Sequence, residues 1–505
     1  MRTLLDKKEA VDIMIISEGT YPYVRGGVSS WIHQLVNGLP QYRFGIVFIG
    51  SKEEEYGEIQ YAFPENLVYL LEAYMFDFGK RSDVKPLKGK RKALQDTRKI
   101  YRWFTSREGE FPPQLYRLDF YLKEVDERFF LHSESAWNFI TEQYEKHAPE
   151  MPFVDYFWTV RSIHAPIWIL AWIARHISGR AKVIHTPSTG YAGFLGALIS
   201  RNDEVPLILT EHGIYTKERK IDLLSSDLFS HKRFELMYQA HENDYIKEMW
   251  IRFFEGIGYF CYDRAEPILS LYHGAKEAQI AYGADPKRCR VVPNGVNTEV
   301  LSEAYKKREE KIPLVVTLIG RVVAIKDIKT FIRAIRIAVF EFPELEGWIV
   351  GPTDEDPEYA QECLRIVQNL GLENRVKFLG FQNVAEILPQ TGILTLTSIS
   401  EGMPLVILEG FAAGVPAVAT DVGSCRELIE GGLNEEDKKI GKAGEVVKIA
   451  NASELAEAYL KLFKDEALWY RYQQNALRRV NRFYTQEQFF KTYHDIYKKA
   501  LLWRA

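Results

Sequence analysis

Short runs of apolar residues, bounded by turn residues and separated by stretches with helical spacing, recur along most of the chain. Val11–Ser17 (VDIMIIS) is the first, followed by runs at 44–50, 181–185, 207–210, 268–271 and 290–292. A second series follows at 314–319, 347–350, 375–379, 394–398 and 417–420. Most are apolar throughout rather than alternating, which predicts strands buried on both faces. Between them, stretches such as 28–39, 163–177, 191–200, 328–340 and 359–370 carry apolar residues at helical spacing. Strands alternating with helices predict parallel sheets with right-handed crossovers. Two such series predict two doubly wound, Rossmann-like domains facing across a cleft, with ligands at the strand ends.

Residues 51–150 break this rhythm and read as a helical insertion in the first domain. Between Lys80 and Arg107 they carry eleven Lys or Arg against two acidic residues, Asp83 and Asp96. A solvated face is the simple account of that run, and a docking surface for an acidic partner or lipid headgroups is the other. Residues 217–260 read as mostly helical. The segment 298–311 (TEVLSEAYKKREEK) is charged, poor in apolar pattern, and reads as a linker. The expected domains are therefore 1–300 and 312–483, with the final helix, 484–505, joining the first.

Composition adds exclusions. A chain of 505 residues has material for more than one core. Its net charge of −4 lacks the basic excess of a nucleic-acid binder. Cys261, Cys289, Cys363 and Cys425 are scattered without a C-x-x-C pair, as in a reduced cytosolic protein. The N-terminus carries charges where a signal peptide needs an apolar run. Ala165–Ala174 (APIWILAWIA) is half of the roughly 20 apolar residues that span a membrane. These features predict a soluble, cytoplasmic protein.

The chemistry concentrates at Leu394–Gly414 (LTLTSISEGMPLVILEGFAAG), read as strand, sharp loop and a helix opened by Pro404. Glu401 lies in the loop and Glu409 inside the helix. The helical neighbours of Glu409 are Leu405, Val406, Ala412 and Ala413, so its carboxylate needs donors or loses solvation. It either reaches an arginine or solvent, or it grips a ligand diol. Free N–H groups at Gly402, Met403 and Leu405 suit a phosphate or sugar oxygen. Arg321 and Lys326 leave the first strand of the second domain and can converge on a diphosphate. No D-x-D pair stands beside them, so metal-independent charge neutralisation is expected. In the first domain, Gly26 and Gly27 open a helix after the first strand and allow close approach of a phosphate. His185 and His212 end strands where such folds place chemistry, or they are ordinary structural histidines.

GRVVAIK (Gly320–Lys326) with EGMPLVILE (Glu401–Glu409) resembles the retaining family-4 glycosyltransferases of the GT-B fold. EGTYPYVRGGVSSW and TEHGIYTKER narrow the resemblance to the cytosolic glycosyltransferase subunits that build Pel-type exopolysaccharide of biofilms. It implies that Arg321 and Lys326 hold the donor diphosphate and that Glu409 binds ribose hydroxyls. It implies that Glu401, with the backbone of Gly402, Met403, Pro404 and Leu405, contacts the donor sugar and phosphate. By the same resemblance Gly26 and Gly27 admit the phosphates, His212 lies near the reacting sugar, and Lys377 and Phe378 flank the uracil. Asn294 and Glu427 are further carry-overs. The donor is then UDP-N-acetylgalactosamine, UDP-N-acetylglucosamine or UDP-glucose, and the acceptor a growing polysaccharide. Partners are membrane-bound synthase subunits, which recruit the chain to the inner face of the membrane; no cofactor or metal is expected. A non-catalytic nucleotide-sugar-binding subunit and a UDP-sugar epimerase of the same fold stay open as alternatives.

Overall fold

The computed structural model describes residues 1–76, 91–106, 111–225 and 242–503. These divide into two compact units, one of residues 1–269, 278–290 and 494–505, the other of residues 270–277 and 291–493. Each is built on one twisted sheet, and together they have the GT-B architecture of two Rossmann-like domains.

Eight strands order the first sheet as β1-β4-β3-β2-β5-β6-β7-β8. They are β1 Arg2–Asp6, β2 Val11–Glu18, β3 Phe44–Gly50, β4 Leu67–Tyr74, β5 Ala181–Thr186, β6 Leu207–Glu211, β7 Ile268–Ser270 and β8 Cys289–Val291. Strands β2 and β3 are buried almost end to end, as uninterrupted apolar runs demand. Strand order reverses between β2 and β5, which pair in parallel. A large apolar cluster joins this sheet to helices Phe153–Ile177, Tyr191–Asn202 and Glu242–Arg264.

The second sheet has six parallel strands ordered β11-β10-β9-β12-β13-β14. They are β9 Val315–Ile319, β10 Glu346–Val350, β11 Val376–Gly380, β12 Ile393–Leu396, β13 Ala417–Thr420 and β14 Gly444–Val447. Here the order reverses between β9 and β12. Two apolar clusters cover its faces.

Several expectations need correcting. Residues 51–150 are not wholly helical, because β4 is an interior strand paired parallel to β3 and antiparallel to β1. Of the basic run 80–107, residues 91–106 form a helix and residues 80–90 and 107 lie outside the described residues. So does much of the expected helical stretch 217–260, described here as helices Tyr215–Ser225 and Glu242–Arg264. Thr298–Lys306 is a helix rather than a linker, capped by Asn297 and anchored by buried Leu301 and Ala304. Of the terminal segment 484–505, residues 494–503 pack with the first unit. Residues 484–493 stay with the second, where Val296 N–H donates to Tyr484 O and Gln486 N–H to Val296 O.

One buried ion pair ties the last turns of the second unit together. Arg479 and Asp437 have fully buried side chains, with Nε donating to Asp437 Oδ1 at 2.6 Å. The guanidinium also donates to Ile429 O at 2.9 Å and Gly441 O at 2.7 Å. Removing one partner strands the other charge out of water. Arg479→Leu is expected to lower unfolding free energy by about 3–5 kcal/mol, read by urea denaturation; a variant as stable as the parent refutes this role.

Candidate active site

The loops leaving the carboxyl ends of β11, β10, β9, β12 and β13 are stitched into one continuous shelf. Gly320 N–H donates to Val350 O at 2.8 Å, Val322 N–H to Pro352 O at 2.9 Å, and Gly351 N–H to Gly380 O at 2.8 Å. Gly351 holds φ at +152°, and a Cβ there would lie 2.0 Å from Gly320 O, so only glycine fits. Across the reversal, Thr397 Oγ1 donates to Lys326 O at 2.7 Å and Ile399 N–H to Ile325 O at 2.8 Å. Thr420 Oγ1 donates to Ser398 O at 2.7 Å and Ser424 N–H to Gly402 O at 2.9 Å. Gly423, at φ +53°, lets its loop lie against the Glu401 and Gly402 carbonyls, 2.3 Å from where a Cβ would stand.

Lys326 and Glu401 meet on this shelf. Lys326 follows β9 and Glu401 follows β12, and Nζ donates to Oε1 at 2.5 Å with both side chains mostly buried. Arg321 leaves the same strand end but pairs with Glu355, both about half exposed. The two cations expected to converge thus each hold a carboxylate. An exposed pair of the Arg321 kind is worth little and yields readily to a polyanion.

Glu401 passes into Gly402, Met403 and Pro404, which caps helix Leu405–Ala412 by backbone alone; no side chain caps it. Glu409 lies in that helix with no hydrogen-bond partner among the described residues. Loss of water around its carboxyl raises its pKa above the ordinary value, and no neighbouring charge opposes the shift. Buried Ser398 and Ser424 hydroxyls also lack partners among the described residues, a feature no sequence spacing indicated. Asn294 belongs to this unit, its N–H 3.4 Å from Met403 Sδ and its side-chain carbonyl buried and unpartnered.

Other expected residues are placed differently. Lys377 sits within β11 and donates to both Glu346 oxygens, at 2.8 and 2.7 Å, and Phe378 packs partly buried against the core. Neither stands at a strand end; Phe381, just beyond β11, is 81% exposed there. Glu427 accepts from His273 N–H and Gly274 N–H, both at 3.0 Å, and so caps a helix start. In the first unit, Gly26 and Gly27 begin helix Gly27–Gly38 with open space where each Cβ would be. His185 is structural: buried, bonded to Tyr497 and Thr210 hydroxyls, its pKa held down at about 3 by burial. His212 follows β6 at the edge of a cavity; burial likewise lowers it to about 3, so it is a neutral imidazole. Among the described residues, no cluster of His, Cys, Asp and Glu could hold a metal ion, and no helix is long and apolar enough to cross a membrane.

Glu409 makes a pH prediction. Its folded-state pKa lies above the unfolded value of 4.5, so the native state binds the proton more tightly and loses stability as pH rises through that window. Glu409→Gln is expected to be more stable than the parent near neutrality by about 1–3 kcal/mol, the gap closing near pH 4.5. Denaturation curves at the two pH values decide it; a constant gap removes the carboxyl as its source.

Residues 11–287 match the family described as "Domain of unknown function (DUF3492)", and residues 313–465 match "Glycosyl transferases group 1". N-acetyl-alpha-D-glucosaminyl L-malate synthase of Bacillus anthracis is 33% identical over 29% of this chain and 36% of its own length. UDP-Gal:alpha-D-GlcNAc-diphosphoundecaprenol alpha-1,3-galactosyltransferase of Escherichia coli is 26% identical over 54% of this chain and 65% of its own. The chain thus spans less than two thirds of either relative. The crystal structure of Anabaena Alr3699/HepE in complex with UDP is similar over 97% of this chain and 100% of its own, with TM-score 0.59 and 15% identity, a likeness of fold. The chain belongs to the DUF3492 family, and its residues 313–465 match the glycosyl transferases group 1 model.

Proposed function

We propose that the chain is a retaining, metal-independent glycosyltransferase that moves a hexose or N-acetylhexosamine from a UDP-sugar onto a growing Pel-type exopolysaccharide. The observation that carries this reading is the Lys326–Glu401 shelf at the strand-order reversal, with unpartnered Glu409 on the helix leaving it. Relatives named as sugar transferases, and a structural neighbour whose crystals hold UDP, support it. In this reading the donor diphosphate displaces Glu355 from Arg321 and draws Lys326 from Glu401. Glu401, freed of its cation, accepts from a donor-sugar hydroxyl, and Glu409 accepts from the ribose diol. The exposed ring of Phe381 offers a face for the base. The backbone from Gly402 to Leu405 meets phosphate and sugar oxygens, and Asn294 adds a side-chain carbonyl to the same unit.

Departure of UDP develops negative charge, which fixed cations stabilise without solvent rearrangement. The acceptor then attacks on the face that UDP leaves, so configuration is retained and the protein's part is positioning. His212 serves the acceptor side as a neutral hydrogen-bonding group, and the open backbone at Gly26 and Gly27 leaves room for phosphate oxygens. Membrane-bound synthase subunits then recruit the chain to the cytoplasmic face of the membrane.

Calorimetric titration with UDP-N-acetylgalactosamine, UDP-N-acetylglucosamine and UDP-glucose is expected to show binding of at least one. UDP release with acceptor separates transfer from binding alone, and interconversion of free UDP-sugars would reveal an epimerase. Arg321→Ala is expected to lower turnover by about 10²–10³ with the fold intact, because its side chain is half exposed. Turnover near the parent's removes Arg321 from the mechanism.

A further inference from the structure

Besides the larger cavity at its strand ends, of about 1030 Å³ and lined by Glu18, Ser188 and His212 among others, the first unit holds a smaller one among its helices, of about 130 Å³. Helices Arg91–Ser106, Glu134–His147, Phe153–Ile177 and Glu242–Arg264 supply most of its lining. That lining runs from Tyr156 to Trp168 on the third and from Tyr245 to Ile257 on the fourth, about three turns of each. The space therefore follows the helix axes, a shape for an extended chain rather than a ring system. Both helices turn a different stripe to the strand-end cavity, Trp158 and Ser162 on one and Ile246 and Trp250 on the other, and the two cavities share no lining residue.

Protein interiors pack as closely as organic crystals, so a void of this size costs stability unless something occupies it. Apolar side chains such as Ile100, Val160, Ile163, Met249 and Phe253 dominate the wall. Three polar groups in it are already spent within the chain. His164 Nδ1 donates to Val160 O at 2.7 Å, which leaves Nε2 to accept from the Tyr101 hydroxyl at 3.1 Å. Tyr121 hydroxyl donates to Leu115 O at 2.7 Å and Trp168 Nε1 to Val125 O at 2.9 Å. Such a wall returns little to a sugar or nucleotide that must leave water to enter. An apolar cavity of about 150 Å³ stays dry and takes up benzene, so this one suits about six to eight carbons.

Its charged lining residues, Glu248 and Arg252, are part exposed and pair with each other one turn apart. An exposed pair of this kind yields readily to a competing anion. His147 faces them from helix Glu134–His147; partial burial lowers its pKa, and so do Lys146 and Arg252, both cations beside the ring. A guanidinium at the mouth of an apolar channel can fork onto a carboxylate or phosphate while the tail stays dry. We propose that this cavity binds a single unbranched hydrocarbon chain ended by an anionic head, with the tail among the four helices and the head on Arg252. The inference stands apart from the transferase reading and needs no sugar nucleotide.

Calorimetric titration of the full chain with butyrate, hexanoate, octanoate and decanoate, and with alkyl phosphates of the same lengths, tests it. One chain per protein is expected, with affinity rising about tenfold for each two methylenes and levelling off once the cavity is filled. Saturation by the carboxylates alone assigns a fatty-acid head and by the phosphates a phosphate-headed one, and either supports the site. Val160→Phe, which fills the space, is expected to abolish binding of both series, with the fold checked by circular dichroism. Arg252→Gln does not touch the core; it is expected to weaken octanoate or octyl phosphate by about tenfold and to leave octanol unchanged. No saturable binding in either series, affinity that ignores chain length, a folded Val160→Phe that binds like the parent, or anionic chains indifferent to Arg252→Gln overturns the proposal.

Discussion

The second unit is organised around one requirement: where its strand order reverses, the loops after β9 and β12 part company and must be held facing each other. A parallel sheet leaves such a gap at every reversal, which is why ligands collect there. In this chain the gap is spanned by the Lys326–Glu401 pair, with the Thr397–Lys326 and Ile399–Ile325 hydrogen bonds beside it. The pair lies mostly out of water, so each charge needs the other or a substitute of the same sign. In the proposed reading a diphosphate is such a substitute for Glu401, and sugar hydroxyls take up the freed carboxylate. On that reading the empty shelf and the loaded one solve the same electrostatic problem with different anions.

The first unit meets the same geometric gap with different chemistry. Its reversal lies between β2 and β5, and the group at the end of β2 is a carboxylate, Glu18, tied to the start of the helix that follows β5. The second shelf pairs Arg321 and Lys326 with Glu355 and Glu401, whereas the first unit's strand-end cavity gathers Glu18, Asp155, Glu218 and Arg219 with the rings of Trp158 and Trp250. One fold repeated twice thus carries two different sets of charged groups at its reversals.

Much of this was legible in the residues. Unbroken apolar runs identified β2, β3 and β9, because strands buried on both faces need no alternation. Glu409 stood out for the same physical reason that now raises its pKa: a carboxyl on an apolar helix. What escaped were elements whose burial comes from tertiary partners. Strand β1 carries charges because it is an edge, and β4 hides within an aromatic, basic stretch that otherwise reads as insertion. Helix Thr298–Lys306 looked like a linker because only one narrow face, Leu301 and Ala304, is buried. Spacing also placed Arg321 and Lys326 on one face without revealing that each already holds a glutamate, since Glu355 and Glu401 are distant in sequence.

Hydrogen-bond saturation then sorts the buried polar residues better than position does. Glu211 ends a parallel strand, as Glu18 does, yet it accepts from Tyr262, Thr189 and Gln279 side chains. His185 likewise spends both ring nitrogens on hydroxyls. Such groups are complete, and a ligand would have to break bonds that cost as much to lose as it could return. Among the described residues the buried Ser398 and Ser424 hydroxyls are incomplete, as is the partly buried Glu409 carboxyl, and an incomplete buried group destabilises the fold unless something outside the chain completes it. Around the shelf that deficit is concentrated on the loops after β12 and β13 and the helix carrying Glu409. In the proposed reading, a bound ligand's hydroxyl and phosphate oxygens restore the stability given up there, and the same unpaired groups that weaken the empty protein select its ligand.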